Sequence, residues 1–166
     1  MKELNYLDSV DDIMELVKEG VFLTVKRRSG EINTMTIGWA LLGYFWRTPI
    51  MAIAVRPNRY TFQLIENADD FTVSIPFVDL REASYFCGTQ SGRKYNKFTE
   101  CKLETAKAQK VESPIIKTVG RFYECKIVET AKMNPATLSK DFKDIYVGED
   151  YHTLYFGEVV ACYETE

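Results

Sequence analysis

The sequence predicts a mainly β protein, an antiparallel β-barrel that carries a few short α-helices. Short apolar runs rich in β-branched residues recur between Gly and Pro, which is typical of strands. These runs do not alternate regularly with helical segments, as a parallel sheet would require. The 166 residues are 46% hydrophobic and contain neither an internal repeat nor a Pro/Gly/Ser-rich linker, so we expect one domain over residues 1–166.

A helix is predicted near the N-terminus, over residues 9–18. Ser9 stands where an N-cap is expected, and Asp12 follows three residues later as in a capping box. Gly20 would end the helix. The apolar residues follow the i, i+3, i+4, i+7 spacing of one helical face, and they are Val10, Ile13, Met14 and Val17.

Strands are predicted through the middle and the last third of the chain. In FTVSIPF, residues 71–77, apolar and polar residues alternate, so one face is expected in the core and the other in a polar environment. A short helix is predicted on each side of this strand, the second over residues 79–87 with Asp79 and Glu82 as a capping box. The other predicted strands lie at 21–26, 33–42, 50–55, 120–130 and 151–163, with a loop and one helical turn near 139–146.

Composition and charge exclude several classes of protein. A net charge of −3 argues against a general nucleic-acid binder, which would carry a basic field over one face. The N-terminal region lacks the basic start and apolar centre of a signal peptide, and no apolar run approaches the roughly 20 residues that span a bilayer. We therefore expect a cytoplasmic protein with neither a nucleic-acid nor a membrane partner.

Side chains that carry nucleophilic or metal chemistry are sparse. His152 is the single histidine, so neither a catalytic triad nor a metal site is expected, and we nominate no catalytic residue. The acidic pair Asp69 and Asp70 is expected in solvent at a turn. The cysteines form no CxxC pair and are expected to be reduced thiols, and they are Cys87, Cys101, Cys125 and Cys162.

The positive signal is a pair of basic loops. In RPNRYT, residues 56–61, Pro57 fixes the backbone after a strand, and Asn58 is a good N-cap for a following helix. A helix start flanked by two arginines suits a phosphate dianion. The alternative is an ordinary helix start whose arginines face water.

The second basic loop is GTQSGRKYNK, residues 88–97. It has three cations and no acid, its hydroxyls can donate hydrogen bonds, and its glycines let the backbone approach a ligand closely. A glycine cap followed by a solvated basic turn is the alternative.

Upstream, NTMTIGW at 33–39 places amide and hydroxyl groups on a strand that could hold a planar heteroaromatic ring, although core packing also accounts for its aromatic residue.

Together these blocks resemble the flavin reductase-like family of FMN-binding split barrels, in particular its flavoredoxin-like branch. The resemblance rests on NTMTIGW, VRPNRYTFQLIE, FTVSIP and REASYFCGTQSGRKYNKF in this order and spacing, and it extends more weakly over residues 20–162. One departure is that Lys94 and Asn96 stand where the family pattern leads us to expect acids.

The resemblance implies a homodimer of split barrels that holds FMN non-covalently. It implies that Asn33, Thr34, Met35 and Thr36 face the isoalloxazine ring. It places Arg56, Asn58, Arg59, Tyr60 and Thr61 at the phosphate and ribityl chain, together with Cys87, Gly88, Thr89, Ser91, Gly92 and Lys97, and it brings His152 to the cofactor from the last long strand.

The function implied is that of an FMN-dependent oxidoreductase. NAD(P)H is the expected electron donor, and free flavin or a redox protein is the expected acceptor. Because the flavin carries the redox chemistry, the protein need supply only binding, orientation and electrostatics. Two alternatives stay open: an FMN carrier without turnover, and a barrel that binds a different phosphate or carboxylate ligand without flavin.

Overall fold

The structure is a computed structural model that describes residues 2–165. Strands make up most of the ordered elements. They are β1 Lys2–Glu3, β2 Val21–Lys26, β3 Ile32–Ile37, β4 Ala40–Phe45, β5 Thr48–Val55, β6 Asp70–Pro76, β7 Thr105–Ala106, β8 Ile115–Ile116, β9 Gly120–Lys132 and β10 Thr153–Thr165. The helices are α1 Val10–Glu19, α2 Tyr60–Ile65, α3 Arg81–Thr89, α4 Lys97–Glu100 and α5 Lys140–Lys143.

One antiparallel sheet organises the described residues. Its strand order is β3-β2-β6-β9-β10-β5-β4, with β1 paired to β10, while β7 and β8 form a separate pair. The longest strands, β9 and β10, pair along almost their whole length, from Thr153 against Lys132 to Thr165 against Gly120. The prediction of a mainly β, antiparallel fold with a few short helices is confirmed.

The main core is built from the strands and one face of α1. Ile13 and Val17, on the predicted apolar stripe of α1, are buried with Leu23 of β2, Ile53 of β5 and Phe71 of β6. Burial of apolar surface contributes roughly 25 cal/mol of stabilisation per Å². This packing holds α1 on the sheet, although a helix of ten residues alone would be only marginally stable.

Strand β6 differs from its prediction because both of its faces are buried. The hydroxyl of Thr72 donates to the carbonyl of Pro114 at 2.6 Å, and Ile116 N donates to the hydroxyl of Ser74 at 3.0 Å. The segment that leads to β8 therefore covers the polar face. The strand ends at Pro76, so Phe77, which was predicted to be buried, is exposed.

Gly20 ends α1 as predicted, but the capping bonds predicted at the N-terminal ends of the helices do not form. Ser9 precedes α1 in a left-handed conformation, φ 51°, and its side chain makes no capping bond. An N-cap side chain reaches the first turn from an extended backbone, which Ser9 does not have. Likewise, α2 begins after Arg59 rather than after Asn58, and α3 begins after Leu80, whereas Asp79 accepts from Arg81 N at 3.1 Å without a capping box.

Asp70 also differs from its prediction, because it is buried rather than exposed to solvent. Its two carboxylate oxygens accept from Glu112 N and Ser113 N, both at 2.9 Å. Only Asp69 of this pair lies in solvent, where it pairs with Arg28.

The single strand predicted over 33–42 is also interrupted, with β3 ending at Ile37 and β4 beginning at Ala40.

Candidate functional site

The two basic loops meet in a small cavity that we call the cradle. The first loop enters it at the start of α2, and the second runs from the end of α3 to the start of α4. The cavity measures about 60 Å³. It is lined by Met35, Asn58, Arg59, Tyr60, Thr61, Cys87, Gly88, Thr89, Gln90, Ser91, Gly92 and Lys97.

Lys97 gives the cradle a buried positive charge. The residue is 3% exposed, and its Nζ donates to the carbonyl oxygen of Cys87 at 2.6 Å. Within residues 2–165 it forms no ion pair, and burial lowers the pKa of its ammonium group, as the neighbouring charge of Arg59 also does. A buried cation without a counter-charge is costly, so this arrangement favours an anion in the cradle.

Arg59 adds a second cation. Its Nη1 donates to the carbonyl of Gly88 at 3.2 Å, so the guanidinium bridges the two basic loops without meeting a carboxylate in the described residues. A planar guanidinium has several donors and forms strong hydrogen bonds to phosphate, which leaves Arg59 able to keep its present contact and add another.

Gly92 brings the second loop onto β3 and α2. A Cβ atom at this position would lie 2.4 Å from Asn33 Oδ1 and 2.6 Å from Tyr60 Cδ1. Asn33 is itself fixed, because its Nδ2 donates to the hydroxyl of Thr61 at 2.8 Å. The close approach predicted for this glycine is therefore to the protein's own side chains, which support the wall of the cradle.

Of the residues in NTMTIGW, Met35 alone lines the cradle, and Asn33, Thr34 and Thr36 lie outside it. Thr34 is fully buried and its hydroxyl donates to the carbonyl of Leu23 at 3.1 Å, on the β2 side of the strand. The hydroxyl of Thr36 donates to the carbonyl of Ser84 at 2.6 Å. Thr36 lines a separate groove of about 800 Å³ that adjoins the cradle at Gly88 and Thr89, and we call it the Thr36 groove.

Arg56 and His152 also lie outside the cradle. The Arg56 guanidinium is 5.2 Å from the centre of the Tyr146 ring, and Tyr146 Oη lies 2.9 Å from His152 Nδ1. The imidazole packs at 4.7 Å from the ring of Trp39. Burial, with a further contribution from the charge of Arg56, lowers the pKa of His152 to about 4. The imidazole is accordingly neutral at physiological pH.

Residues 14–166 match the family described as "Flavin reductase like domain". The chain belongs to this family. The match spans the cradle, both basic loops and the strands from β2 to β10, so the resemblance to the flavin reductase-like family is confirmed.

Comparison with known proteins supports the same fold. An uncharacterized protein of Archaeoglobus fulgidus is 30% identical over 128 residues, which are 77% of this chain and 63% of that protein. Flavoredoxin from Methanosarcina acetivorans is 24% identical, with a TM-score of 0.70 over 89% of this chain and 68% of its own. An FMN-binding domain of a flavin reductase-like enzyme from Shewanella baltica is 18% identical, with a TM-score of 0.71 over 98% and 76% of the two chains.

These comparisons confirm the split-barrel fold of the flavin reductase-like family, with its antiparallel sheet and few short helices. This chain spans less than two thirds of the length of the Archaeoglobus relative. Among the described residues, no helix is both long and apolar enough to cross a membrane, and no cluster of His, Cys, Asp and Glu could hold a metal ion.

Cys87 contributes to the cradle by packing. It is buried beside Leu103 and Ile116, and burial raises the pKa of its thiol to about 12. A thiol that stays protonated is a poor nucleophile, so Cys87 lines the cradle without acting as a reactive group. No disulfide links the four cysteines.

Sequence reasoning missed Gln90 and the role of Asn96. Gln90 lines the cradle beside Thr89 and carries no charge or glycine signature that would mark it. Asn96 caps α4, since its Oδ1 accepts from Phe98 N at 3.1 Å and from Thr99 N at 3.3 Å. Asn and Asp cap helices about equally well, which explains why an amide serves where an acid was expected. The signal available in the sequence was an Asn directly before KFTE.

Proposed function

We propose that this chain binds FMN with its phosphate in the cradle and works as a flavin-dependent oxidoreductase. The observation that carries the proposal is Lys97, a buried cation with no counter-charge in the described residues, beside the guanidinium of Arg59. A phosphate dianion would supply the missing charge and accept from both cations.

The size of the cradle supports a tail site rather than a ring site. A cavity of about 60 Å³ suits a phosphate group but not a three-ring flavin. The ring would therefore lie outside the cradle, along β3. The Thr36 groove is the larger adjoining space, and it is walled by Thr36, Phe77 and Tyr85. Aromatic and apolar side chains with a few polar groups are typical of cofactor pockets.

When bound, FMN would supply the redox chemistry, because it can take up and release electrons. The chain's own residues would hold the phosphate, fix the position of the ring and exclude water. Neither His152 nor Cys87 is suited to proton transfer near neutral pH, since the first stays neutral above about pH 4 and the second stays protonated. We nominate no catalytic side chain.

We further propose that NAD(P)H reduces the bound flavin and that free flavin or a redox protein reoxidises it. Membership in the flavin reductase-like family supports this direction of electron flow. A carrier that binds FMN without turnover is the second candidate. Such a carrier also needs no side chain that acts as a catalytic acid or base.

An absorbance spectrum of the purified protein with added FMN tests the proposal, followed by anaerobic titration with NADH and with NADPH. Flavin bands that shift on binding and then bleach with one of the nucleotides support a reductase. Bound flavin that neither nucleotide reduces supports the carrier. Failure to bind FMN at all would contradict the proposal and favour a barrel that binds a different anionic ligand.

The homodimer is also a proposal, and strand β4 supports it. This strand lies at one edge of the sheet, and its exposed side chains include Leu41, 68% exposed, and Tyr44, 67% exposed. Phe45 at the end of β4 and Trp46 in the following turn extend the patch. An apolar edge strand invites pairing with another chain, and a second copy would cover it.

A further inference from the structure

Tyr60 connects the two basic loops at the edge of the cradle. It is the first residue of α2, and it lines the cradle. A Cβ atom on Gly92 would lie only 2.6 Å from Tyr60 Cδ1, and the Arg93 guanidinium lies 5.3 Å from the centre of the Tyr60 ring. The second basic loop therefore packs against this ring, so a change in the orientation of the ring would shift the loop backbone that forms one wall of the cradle.

The hydroxyl of Tyr60 is bound by a carboxylate from another part of the fold. Tyr60 Oη donates to Glu31 Oε1, and Glu31 lies in the segment between β2 and β3. Arg27 Nη1 donates to the second carboxylate oxygen of Glu31 at 3.0 Å. The hydrogen bond from Tyr60, and after it the one from Arg27, lowers the pKa of the Glu31 carboxyl, so this group is ionised at neutral pH. A hydroxyl that donates to a carboxylate forms a bond about twice as strong as one between neutral groups.

The negative charge of Glu31, taken alone, opposes an anion in the cradle. Glu31 contacts a residue of the cradle wall, and a carboxylate repels a phosphate. The side chains of Arg27 and Glu31 are 34% and 39% exposed, so their ion pair and the surrounding water weaken this repulsion. The hydrogen bond to Tyr60 acts in the opposite direction, because it holds the ring against which Gly92 packs. The sign of the change in phosphate affinity on replacing this carboxylate therefore identifies the dominant effect.

We propose that Glu31 is a positioning residue for the flavin phosphate. It acts through the Tyr60 hydroxyl, and the fixed Tyr60 ring holds the second basic loop, which carries Lys97, in the conformation that binds phosphate. This inference rests on the proposed function, because it requires the phosphate to lie in the cradle. A binding loop that is held in place before the ligand arrives avoids the cost of being ordered on binding.

The test is calorimetric titration of the full chain with FMN and with riboflavin, which has the same ring system but no phosphate. We expect Glu31→Gln and Tyr60→Phe each to weaken FMN binding about fivefold to tenfold, because each removes the charge-assisted hydrogen bond. The double variant should lose no more affinity than either single variant, since both changes remove the same bond. The affinity for riboflavin should stay at the wild-type value in all three variants.

Glu112 provides the matched control. Its carboxylate pairs with Lys26 at 2.8 Å, much as Glu31 pairs with Arg27, but it lies outside the described wall of the cradle. Glu112→Gln therefore removes one negative charge and one ion pair without affecting the Tyr60 hydroxyl. This variant should bind FMN as the wild type does.

The results distinguish the inference from the proposed function. Weaker binding of FMN in Glu31→Gln, with riboflavin affinity unchanged, supports the inference. Unchanged or tighter binding of FMN in Glu31→Gln overturns it, as do an equal loss for both flavins and losses that add in the double variant. The proposed function stands in each of these cases if the wild type binds FMN more tightly than riboflavin. If the wild type shows no such preference, the phosphate site in the cradle fails first, and the inference fails with it.

Discussion

At the scale of single residues, Lys97 has two opposing effects. In the protein alone, its buried ammonium group meets only a carbonyl oxygen, so it costs free energy of folding. With a phosphate beside it, the same burial strengthens the attraction, because there is little water to screen the charges. Stability and ligand affinity should therefore respond to its removal in opposite directions.

The first prediction is that Lys97→Met weakens FMN binding by about 10-fold to 100-fold, since a hydrogen bond to a charged group contributes roughly 1.5–3 kcal/mol. The free energy of unfolding without ligand should stay the same or rise by about 1 kcal/mol, because an apolar side chain of similar length replaces an unpaired charge. Flavin titration and urea unfolding measure the two quantities. A variant that is destabilised and binds FMN normally would show that Lys97 is structural.

His152 makes the second prediction, which concerns pH. Its pKa is about 4 in the folded chain, against an ordinary value of 6.5, so the unfolded chain binds more protons between these values. The stabilisation is complete above pH 6.5 and is lost as the pH falls towards 4, at a cost of about 2–3 kcal/mol. In His152→Asn the amide can still form a hydrogen bond with the Tyr146 hydroxyl but does not titrate.

Urea unfolding at pH 7 and at pH 4.5 measures the effect in both proteins. The variant should lose clearly less free energy of unfolding than the wild type between these pH values. Equal losses would mean that the imidazole does not titrate in this range.

Sequence patterns find residue types more readily than side-chain directions. The cations and glycines of the two basic loops marked the cradle because each loop is contiguous in sequence. Arg56 was assigned to the phosphate for the same reason, but its guanidinium lies against Tyr146, ninety residues later. A contact of this kind depends on how the connection between β9 and β10 packs, which no local pattern contains.

At the scale of elements, the loop between α3 and α4 is shaped by its fit against β3. The Gly92 backbone is so close to Asn33 and Tyr60 that a methyl group would have to displace one of them. The third prediction is that Gly92→Ala weakens FMN binding by about tenfold, because overpacking costs roughly 1–3 kcal/mol and shifts the wall of the cradle.

Gly43→Ala is the matched control, since a Cβ on that residue of β4 would meet nothing within 4 Å. Flavin titration of the two variants compares them directly. If both glycine variants bind FMN as the wild type does, the loop adapts without affecting the cradle.

A buried carboxylate holds the segment that covers β6. Asp70 accepts two backbone N–H groups of this segment, and its neighbour Asp69 is an exposed partner of Arg28. The fourth prediction is that Asp70→Asn lowers the free energy of unfolding by about 1–3 kcal/mol. Asp69→Asn, the control, should lower it by less than about 1 kcal/mol, as is usual for exposed ion pairs.

Hydrogen exchange would localise the effect. The amides of Glu112 and Ser113 should exchange faster than in the wild type in Asp70→Asn and at the wild-type rate in Asp69→Asn. Uniform acceleration over the whole sheet would instead indicate global destabilisation without a specific loosening of this segment.

The elements that sequence reasoning missed are short. β7, β8 and α4 have two, two and four residues, too few for a hydrophobic period to be visible. They form because neighbouring parts of the fold satisfy their backbone groups, as Ser74 does for Ile116. Strands such as β5 and β9 were predictable because long β-branched and aromatic runs favour a buried sheet.

At the scale of the whole molecule, the proposed dimer would remove an apolar edge from solvent. The fifth prediction is that Leu41→Glu shifts the chain from dimer to monomer in light scattering coupled to gel filtration, because a charge on the edge strand opposes pairing. Val119→Glu places a charge on another exposed apolar residue, in the turn before β9, and should leave the dimer intact. A wild-type chain that is monomeric at micromolar concentration would contradict the proposal.

The pairing of β1 with β10 places the two ends of the described chain side by side, with Lys2 opposite Glu164 and Glu3 opposite Tyr163. A polypeptide fused before the first strand and one fused after the last would thus emerge from the same end of this strand pair. The fold can then be inserted into a loop of another protein, or closed into a ring by a short linker, with little rearrangement of the barrel. The cradle, carried by residues in the middle of the chain, would be retained in either construction.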